Sequence, residues 1–347
     1  MSAVNISATL EHSLEVKSPL SVPQTRQSIQ ALWLVGLSAA VSWGVLSAVT
    51  LLWSNAEVGF SDWAYTTEFG CAAAVVALVA LLQAISPLIG IPVTKRVKAL
   101  GPWLVALGAG LTVWEIVTAK LASLPTPFFA PPQSLIEVFT TDAAKLLDST
   151  GNSLVLLSAG IVCGAWTGFL VGVWIGWSRQ ASYWIHPVLR VLGPIPTTAL
   201  LPVSFFFFPS SWSTAVFLIA LGTGFPVAVL TWSGIASVNK NFYDVARTMG
   251  ASQWFLILRV AVPAALPQVF VGLFMGLGAA FSTLVAAEML GVKSGLGWYL
   301  TWAQGWAAYP NMYGALIVMA LLFSGLISLL FLVRDRVLRW QKGVVKW

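Results

Sequence analysis

Few side chains in this sequence could carry covalent chemistry. There are two histidines, His12 in a polar stretch and His186 beside Pro187, and two cysteines, Cys71 and Cys163, each inside an apolar run. No Ser-His-Asp set can be drawn from these positions. No His/Cys/carboxylate cluster has metal-ligand spacing, and no G-x-x-x-x-G-K-[ST] loop is present to hold a nucleotide. The chain reads as non-enzymatic, with no cofactor or metal of its own, and the cysteines read as small buried apolar residues. The chemistry that is left is non-covalent. Pro194 and Pro196 interrupt an apolar run, and Thr197 and Thr198 follow at once. Prolines in a membrane segment remove backbone donors and free carbonyls that need a cavity or a neighbour to satisfy them. With two hydroxyls beside it, this bend is a candidate lining for a solute path; a kink packed on a neighbouring helix is the other reading. Glu288 is the acid deepest in an apolar segment, a costly placement that points to function. Its expected role is structural or gating, or it sits at the outer end of its span paired with Lys293. Glu115 and Lys120 read as a pair at a membrane boundary.

The other chemically distinctive stretch is polar, from Asn239 to Pro263, between two long apolar segments. Asn241 followed by Asp244 reads as a helix start, a side-chain cap plus an acid near the positive end of the dipole. Phe242, Val245, Ala246 and Met249 then form one apolar stripe at helical spacing. Gly250 suits the left-handed position that ends a helix. Ser252 can cap a second short helix, expected to stop near Pro263. A helix–Gly–helix elbow of this kind is shaped to dock on a partner; an ordinary amphipathic connector is the alternative.

The elements that must position these residues are membrane spans. The chain is 58% hydrophobic and 9% charged, against about 25% charged residues in soluble domains. Too few charges remain to cover a water-soluble surface, which makes the bilayer the solvent. Trp33, Trp53, Trp103, Trp177, Trp184, Trp212 and Trp232 fall near the ends of apolar runs, as interfacial tryptophans do. Crossing the hydrocarbon takes about 20 apolar residues. On that criterion the fold class is all-α, a polytopic bundle of about eight transmembrane helices: 31–53, 69–91, 101–119, 152–177, 185–208 (broken by its prolines), 212–235, 264–290 and 311–333. A surface helix is expected over 134–147, and 178–180 is expected to be a polar turn. Glycines 160, 164, 168, 172 and 176 recur every four residues, a ridge that lets helices approach closely in a membrane.

Lys and Arg set the sides. With the polar tail 1–30, the 92–100 loop, the 178–184 turn, the elbow and the C-terminus from Arg334 through the tail 341–347 in the cytoplasm, and with Arg190 counted just inside the fifth span, 15 of the 18 basic residues lie inside. Lys145 and Lys293 fall outside and Lys120 sits at a boundary, so both termini are expected in the cytoplasm. The net charge of +6 is thereby explained by topology, not by nucleic acid. No apolar core follows a basic start closely enough for a cleavable signal peptide.

Asp244-Val-Ala246, Gly250, Val260, Val262 and Pro263 resemble the "EAA" signature of ABC importer permeases, with Asp for Glu and Val for Ala, Ile and Leu, at unchanged spacing. Three further stretches resemble permeases for nitrate, aliphatic sulfonates, taurine and bicarbonate: Trp114-Glu-Ile-Val with Leu124-Pro-Thr-Pro; Leu189-Arg190 to Pro196; and Ala287-Glu288-Met to Ser-Gly-Leu-Gly297. The resemblance covers roughly residues 110–340. It implies a type I importer permease core at 101–340, preceded by an extra transmembrane pair at 31–100. It further implies that Asp244, Ala246, Arg247, Met249 and Gly250 belong to the coupling helices, which fit a cleft on ATPase subunits that bind ATP and Mg. A second, identical permease copy, a periplasmic or lipid-anchored substrate-binding protein and a place in the bacterial inner membrane follow in the same way. The members carry different small anions and some neutral compounds, so the substrate stays open. A secondary transporter or membrane scaffold without ATPase partners is the alternative; it would need ionisable groups in the span cores, and spans four and six have none.

Overall fold

The computed structural model describes residues 32–56, 63–125, 128–193 and 195–340. The two polar tails, and Pro127 and Pro194, lie outside the described residues. Within them the chain is helical and no strand is present. In order the helices are α1 (Leu34–Leu52), α2 (Thr66–Ile89), α3 (Lys95–Lys120), α4 (Gln133–Thr141), α5 (Ala143–Trp177), α6 (Arg179–Leu192), α7 (Thr197–Phe207), α8 (Ser211–Ala236), α9 (Lys240–Thr248), α10 (Gln253–Leu290), α11 (Leu296–Gly305) and α12 (Tyr309–Val337). Seven of them, α1, α2, α3, α5, α8, α10 and α12, are long and apolar enough to cross a membrane. The expected fifth span is not one rod: α6 and α7 meet at 87° and make an eighth crossing only if counted together.

Two packed groups make up the molecule. The first is α1 lying between α2 and α3. Small residues bring their axes close: Ala39, Ala40 and Ala80 are buried together. Side chains of α1 then reach the main chain of both neighbours, Ser47 Oγ donating to Gly70 O at 2.8 Å and Trp43 Nε1 to Leu104 O at 2.9 Å. The second group centres on α8, half of whose apolar window is buried against 6% for α12. The glycine ridge of α5 runs along α8 as its spacing predicts: a Cβ on Gly164 or Gly168 would stand 2.8 Å from the Cα of Ala220 or Gly224. On the other side of α8, Gly272 and Gly276 of α10 approach Val227 and Thr223 in the same way. Leu156, Leu218, Ile219, Ala280 and Leu284 fill the seam between the three helices.

The two groups join at the carboxyl end of α3, where Glu115 and Lys120 pair as expected but inside the protein, away from solvent. Both side chains are fully buried, 3.6 Å apart. Lys120 Nζ donates to Thr50 O (3.0 Å), Trp53 O (2.7 Å) and Asn55 Oδ1 (2.7 Å), clasping the carbonyl-rich end of α1. Gln133, at the start of α4, donates to Glu115 Oε1 at 3.4 Å. Trp114 Nε1 donates to Ala130 O at 2.9 Å, and Tyr313 of α12 donates to Phe128 O.

Other boundaries shift for local reasons. The surface helix ends at Thr141, and residues 143–147 open α5 instead. Asp142 is pinned between the two, its carboxylate accepting from Tyr299 OH at 3.0 Å and Asn311 Nδ2 at 2.6 Å. Burial pushes the Tyr299 phenol up to about 12, so it serves as a neutral donor. The turn at 178–180 shrinks to Ser178, whose hydroxyl accepts from Ala181 N and caps α6. Pro187 is absorbed inside α6 and Pro202 sits in the first turns of α7, so the break itself falls at 193–196. Cys71 and Cys163 are free and exposed, not buried. Trp33, Trp53 and Trp177 flank helix ends as expected, whereas Trp103 and Trp184 lie inside α3 and α6.

Candidate functional site

The proline bend opens a cavity. Where α6 ends, Gly193 abuts the ring of Phe225 on α8, and the chain turns before α7 starts at Thr197. A cavity of about 610 Å³ lies between this corner and helices α5, α8 and α10. Pro196, Thr197 and Thr198 line it. Ser282 and Thr283 of α10 and Gly222 of α8 line it as well. Sequence reasoning missed those three; the only signal was an adjacent hydroxyl pair in a run otherwise made of small and apolar residues. Among the described residues no Asp, Glu, Lys or Arg lines the cavity.

The hydroxyls divide by role. Thr283 Oγ1 donates to Ala279 O at 2.8 Å, so its only proton is used, and Thr197 must be the donor in the 2.6 Å bond between their oxygens. Thr197 is thus a tether from the bend to α10. Thr167 is likewise spent on Cys163 O. The hydroxyls of Thr198 and Ser282 make no hydrogen bond within the described residues. The first turn of α7 also opens at this corner, and a helix amino terminus carries a partial positive charge.

Glu288 lies apart from the cavity. It is 2% exposed and makes no ion pair with Lys293, which is itself exposed. Its Oε1 accepts from Ser153 Oγ at 2.7 Å and its Oε2 from Gly297 N at 2.8 Å. The Ser153 oxygen in turn accepts from Leu296 N at 2.8 Å. The carboxylate therefore satisfies the otherwise orphaned first turn of α11 and ties it to α5. Gly295, at φ +98°, has no room for a side chain, because a Cβ there would collide with the Glu288 carboxylate. Glu288→Ala is expected to lower the melting temperature of the purified chain markedly, since charge-assisted hydrogen bonds contribute about 1.5–3 kcal/mol each. Glu288→Gln, which keeps one acceptor, should fall between; an unchanged melting temperature for Glu288→Ala would refute the capping role.

The elbow forms, with two corrections. Asn239, not Asn241, is the cap, accepting from Asn241 N at 3.0 Å, so α9 begins at Lys240. Gly250 takes φ +81° and ends α9, and Ser252 accepts from Phe255 N to cap the next helix, both as expected. That next helix does not stop at Pro263. A wide turn over Leu256–Ala261 carries it unbroken into α10: Val262 N reaches back five residues to Ile257 O, a register that tolerates the proline without a conventional kink. The second arm of the elbow is therefore the lower end of a 38-residue helix whose upper part lines the cavity.

On α9, Tyr243 packs edge-on against Trp177 at the end of α5, ring centroids 5.9 Å apart. Burial there raises the Tyr243 phenol above its usual range. The other face is bare: Phe242, Val245 and Met249 are 64%, 60% and 83% exposed. Ala246 is half-buried, and Asp244 and Arg247 pair with each other across one turn at 3.8 Å on the exposed surface. The five elbow residues therefore share one short helix and its cap, while Glu288 does not join the bend residues.

Relatives place this architecture. Residues 160–343, which hold about half of α5 and all of α6 to α12, match the family described as "Binding-protein-dependent transport system inner membrane component". The chain is 30% identical over 248 residues to a probable ABC transporter permease protein of Brucella abortus (strain 2308), covering 71% of this chain and 98% of that one. It is 30% identical over 266 residues to the nitrate import permease protein NrtB of Synechococcus elongatus, covering 72% and 91%. It is 31% identical over 223 residues to the taurine transport system permease protein TauC of Escherichia coli (strain K12), covering 61% and 79%. With seven helices long and apolar enough to cross a membrane, the chain belongs to the inner-membrane components of binding-protein-dependent transport, the non-catalytic permease subunits of type I ABC importers of the nitrate, sulfonate and taurine kind.

Proposed function

We propose that this chain, paired with a second identical copy, forms the path by which an ATP-driven importer moves a small anion, such as nitrate, a sulfonate, taurine or bicarbonate, across the inner membrane. ATP and Mg bind to partner ATPase subunits, and a periplasmic or lipid-anchored binding protein delivers the solute. Both termini and the elbow face the cytoplasm. The extra pair α1 and α2 is an addition to the permease core, outside the family match at 160–343.

The observation that carries this reading is the bare stripe on α9. Three large apolar side chains, two on a nine-residue helix and one at its carboxyl cap, stand in the open while Tyr243 fixes the opposite face to α5. Such a surface needs a partner. Because α10 is continuous from the elbow to Thr283, a push on α9 and the elbow can reach the cavity without crossing a flexible joint. Asp244, Ala246, Arg247, Met249 and Gly250 are the coupling residues; Pro194, Pro196, Thr197 and Thr198 line the path, with Thr198 and Ser282 offering hydroxyls to the anion. An uncharged, hydroxyl-bearing cavity suits a solute that must bind and then leave. Glu288 acts on the path only by holding α11 to α5.

Gly250→Val tests the reading. A β-branched residue held at positive φ costs about 1–3 kcal/mol in backbone strain, and here that strain lands at the corner of the elbow. The expected result is normal membrane level with loss of binding-protein-stimulated uptake, measured with labelled nitrate and taurine, while ATP hydrolysis by the assembled transporter no longer responds to loaded binding protein. Uptake and stimulation at wild-type levels would remove the elbow from the mechanism.

A further inference from the structure

One helical turn beyond the cavity, the seam between α6 and α8 opens again. Leu189 of α6 and Ala228 of α8 wall the cavity; His186 and Arg190 of α6 and Trp232 of α8 wall a second recess of about 470 Å³. Ser182 and Tyr183 complete its rim. The His186 ring stands edge-on to Trp232, with centroids 4.5 Å apart. Arg190 has neither an ion pair nor a hydrogen bond within the described residues, and neither do the His186 nitrogens nor the Ser182 and Tyr183 hydroxyls. Among the described residues no carboxylate lines the recess. Asp244 is engaged by Arg247 and Asp335 by Arg334.

A guanidinium without a partner, beside two hydroxyls and an imidazole and against an indole wall, offers several hydrogen-bond donors to one anion. Its planar fork matches two oxygens of one anion. We propose that this recess between α6 and α8 binds an oxyanion, held by Arg190 with help from Ser182, Tyr183 and His186. Two sources share that chemistry. One is the phosphodiester of an anionic lipid: Tyr183 and Trp184 are each 72% exposed on the same helix, with Val188 and Val191 also exposed beside them, as on a helix lying at a membrane surface. The other is a free oxyanion from solution.

Because Arg190 is exposed and unpaired, Arg190→Gln should fold normally, which makes the test clean. The full chain, its Arg190→Gln variant and an Arg179→Gln control are purified into phosphatidylcholine nanodiscs and their melting temperatures measured. Arg179 carries the same charge at the other end of α6 but does not line the recess. One arm replaces part of the phosphatidylcholine with phosphatidylglycerol; the other adds sodium sulfate against sodium chloride of equal ionic strength. A binder of the folded state raises the melting temperature. Wild type and Arg179→Gln are expected to gain several degrees and Arg190→Gln to gain none. A response to phosphatidylglycerol alone identifies a lipid headgroup; a response to sulfate identifies a free oxyanion. The proposal is overturned if neither probe gives an Arg190-dependent shift, or if Arg179→Gln loses the response equally. Neither arm measures uptake, so the result stands apart from the transport reading.

Discussion

Lys120→Met, made alone, is expected to destabilise the protein by about 3–5 kcal/mol, because it strands the Glu115 carboxylate in a fully buried site. It also removes the donor that satisfies Thr50 O, Trp53 O and Asn55 Oδ1 at the end of α1. Glu115 has little else to lean on: one of its oxygens has no hydrogen-bond partner, and the other has the lysine and a long bond from Gln133. The paired change Glu115→Gln with Lys120→Met should recover a good part of the loss, since a buried ion pair contributes little net stability once both charges are gone. Thermal unfolding of the purified chain in detergent reads this directly. Equal melting temperatures for the single and double variants would show that the charge is not what matters. The location adds a consequence. Lys120 joins α1 to the end of α3, while Trp114 and Glu115 join α3 to the segment at 130–133. The single variant should therefore loosen the attachment of α1 and α2 first, seen as faster proteolysis between residues 53 and 66 before any loss of the α5–α8–α10 group.

Gly164→Ala is expected to cost about 3 kcal/mol or more, at or beyond the upper end for overpacking a core. A methyl group there would stand 2.8 Å from the Cα of Ala220 and against its carbonyl. The obstacle is main chain, which cannot swing aside as a flexible side chain would; the two helices must move apart along their whole contact. Gly151→Ala, on the same helix, is the control. A Cβ at Gly151 meets nothing within 4 Å, and the exchange should be neutral or stabilising by up to about 1 kcal/mol through helix propensity. Yield of monodisperse protein and melting temperature in detergent separate the two. A Gly164→Ala protein as stable as wild type would mean that the α5–α8 contact is looser than the ridge implies.

Much of this was legible from residue order because a bilayer imposes simple rules. Length and apolarity located every long span, since backbone polar groups in hydrocarbon must be satisfied within a helix. The four-residue glycine period located the α5–α8 contact, because in lipid the small residue marks the face where two backbones meet. Gly250 and Ser252 were readable for a local reason as well: a left-handed φ and a side-chain cap depend on the residue and its immediate neighbours. The family, too, could be recognised from stretches that keep their own spacing.

Tertiary structure decided what depended on partners distant in sequence. Glu288 could be read as a gate or as half of a pair with Lys293; its true partners, Ser153 and Gly297, include one 135 residues away. Lys120 looked like a boundary charge because nothing local shows that α1 folds back to place Thr50 and Trp53 around it. Thr197 and Thr198 are neighbours of the same kind, yet Thr283, arriving on α10, occupies one hydroxyl and leaves the other free. Pro263 was read as a stop because proline lacks the N–H a regular turn needs, while a wide turn that bonds five residues back lets the helix run on. Periodicity and local geometry travel with the sequence; the burial of a charge and the use of a hydroxyl's single proton are settled only when separate helices meet.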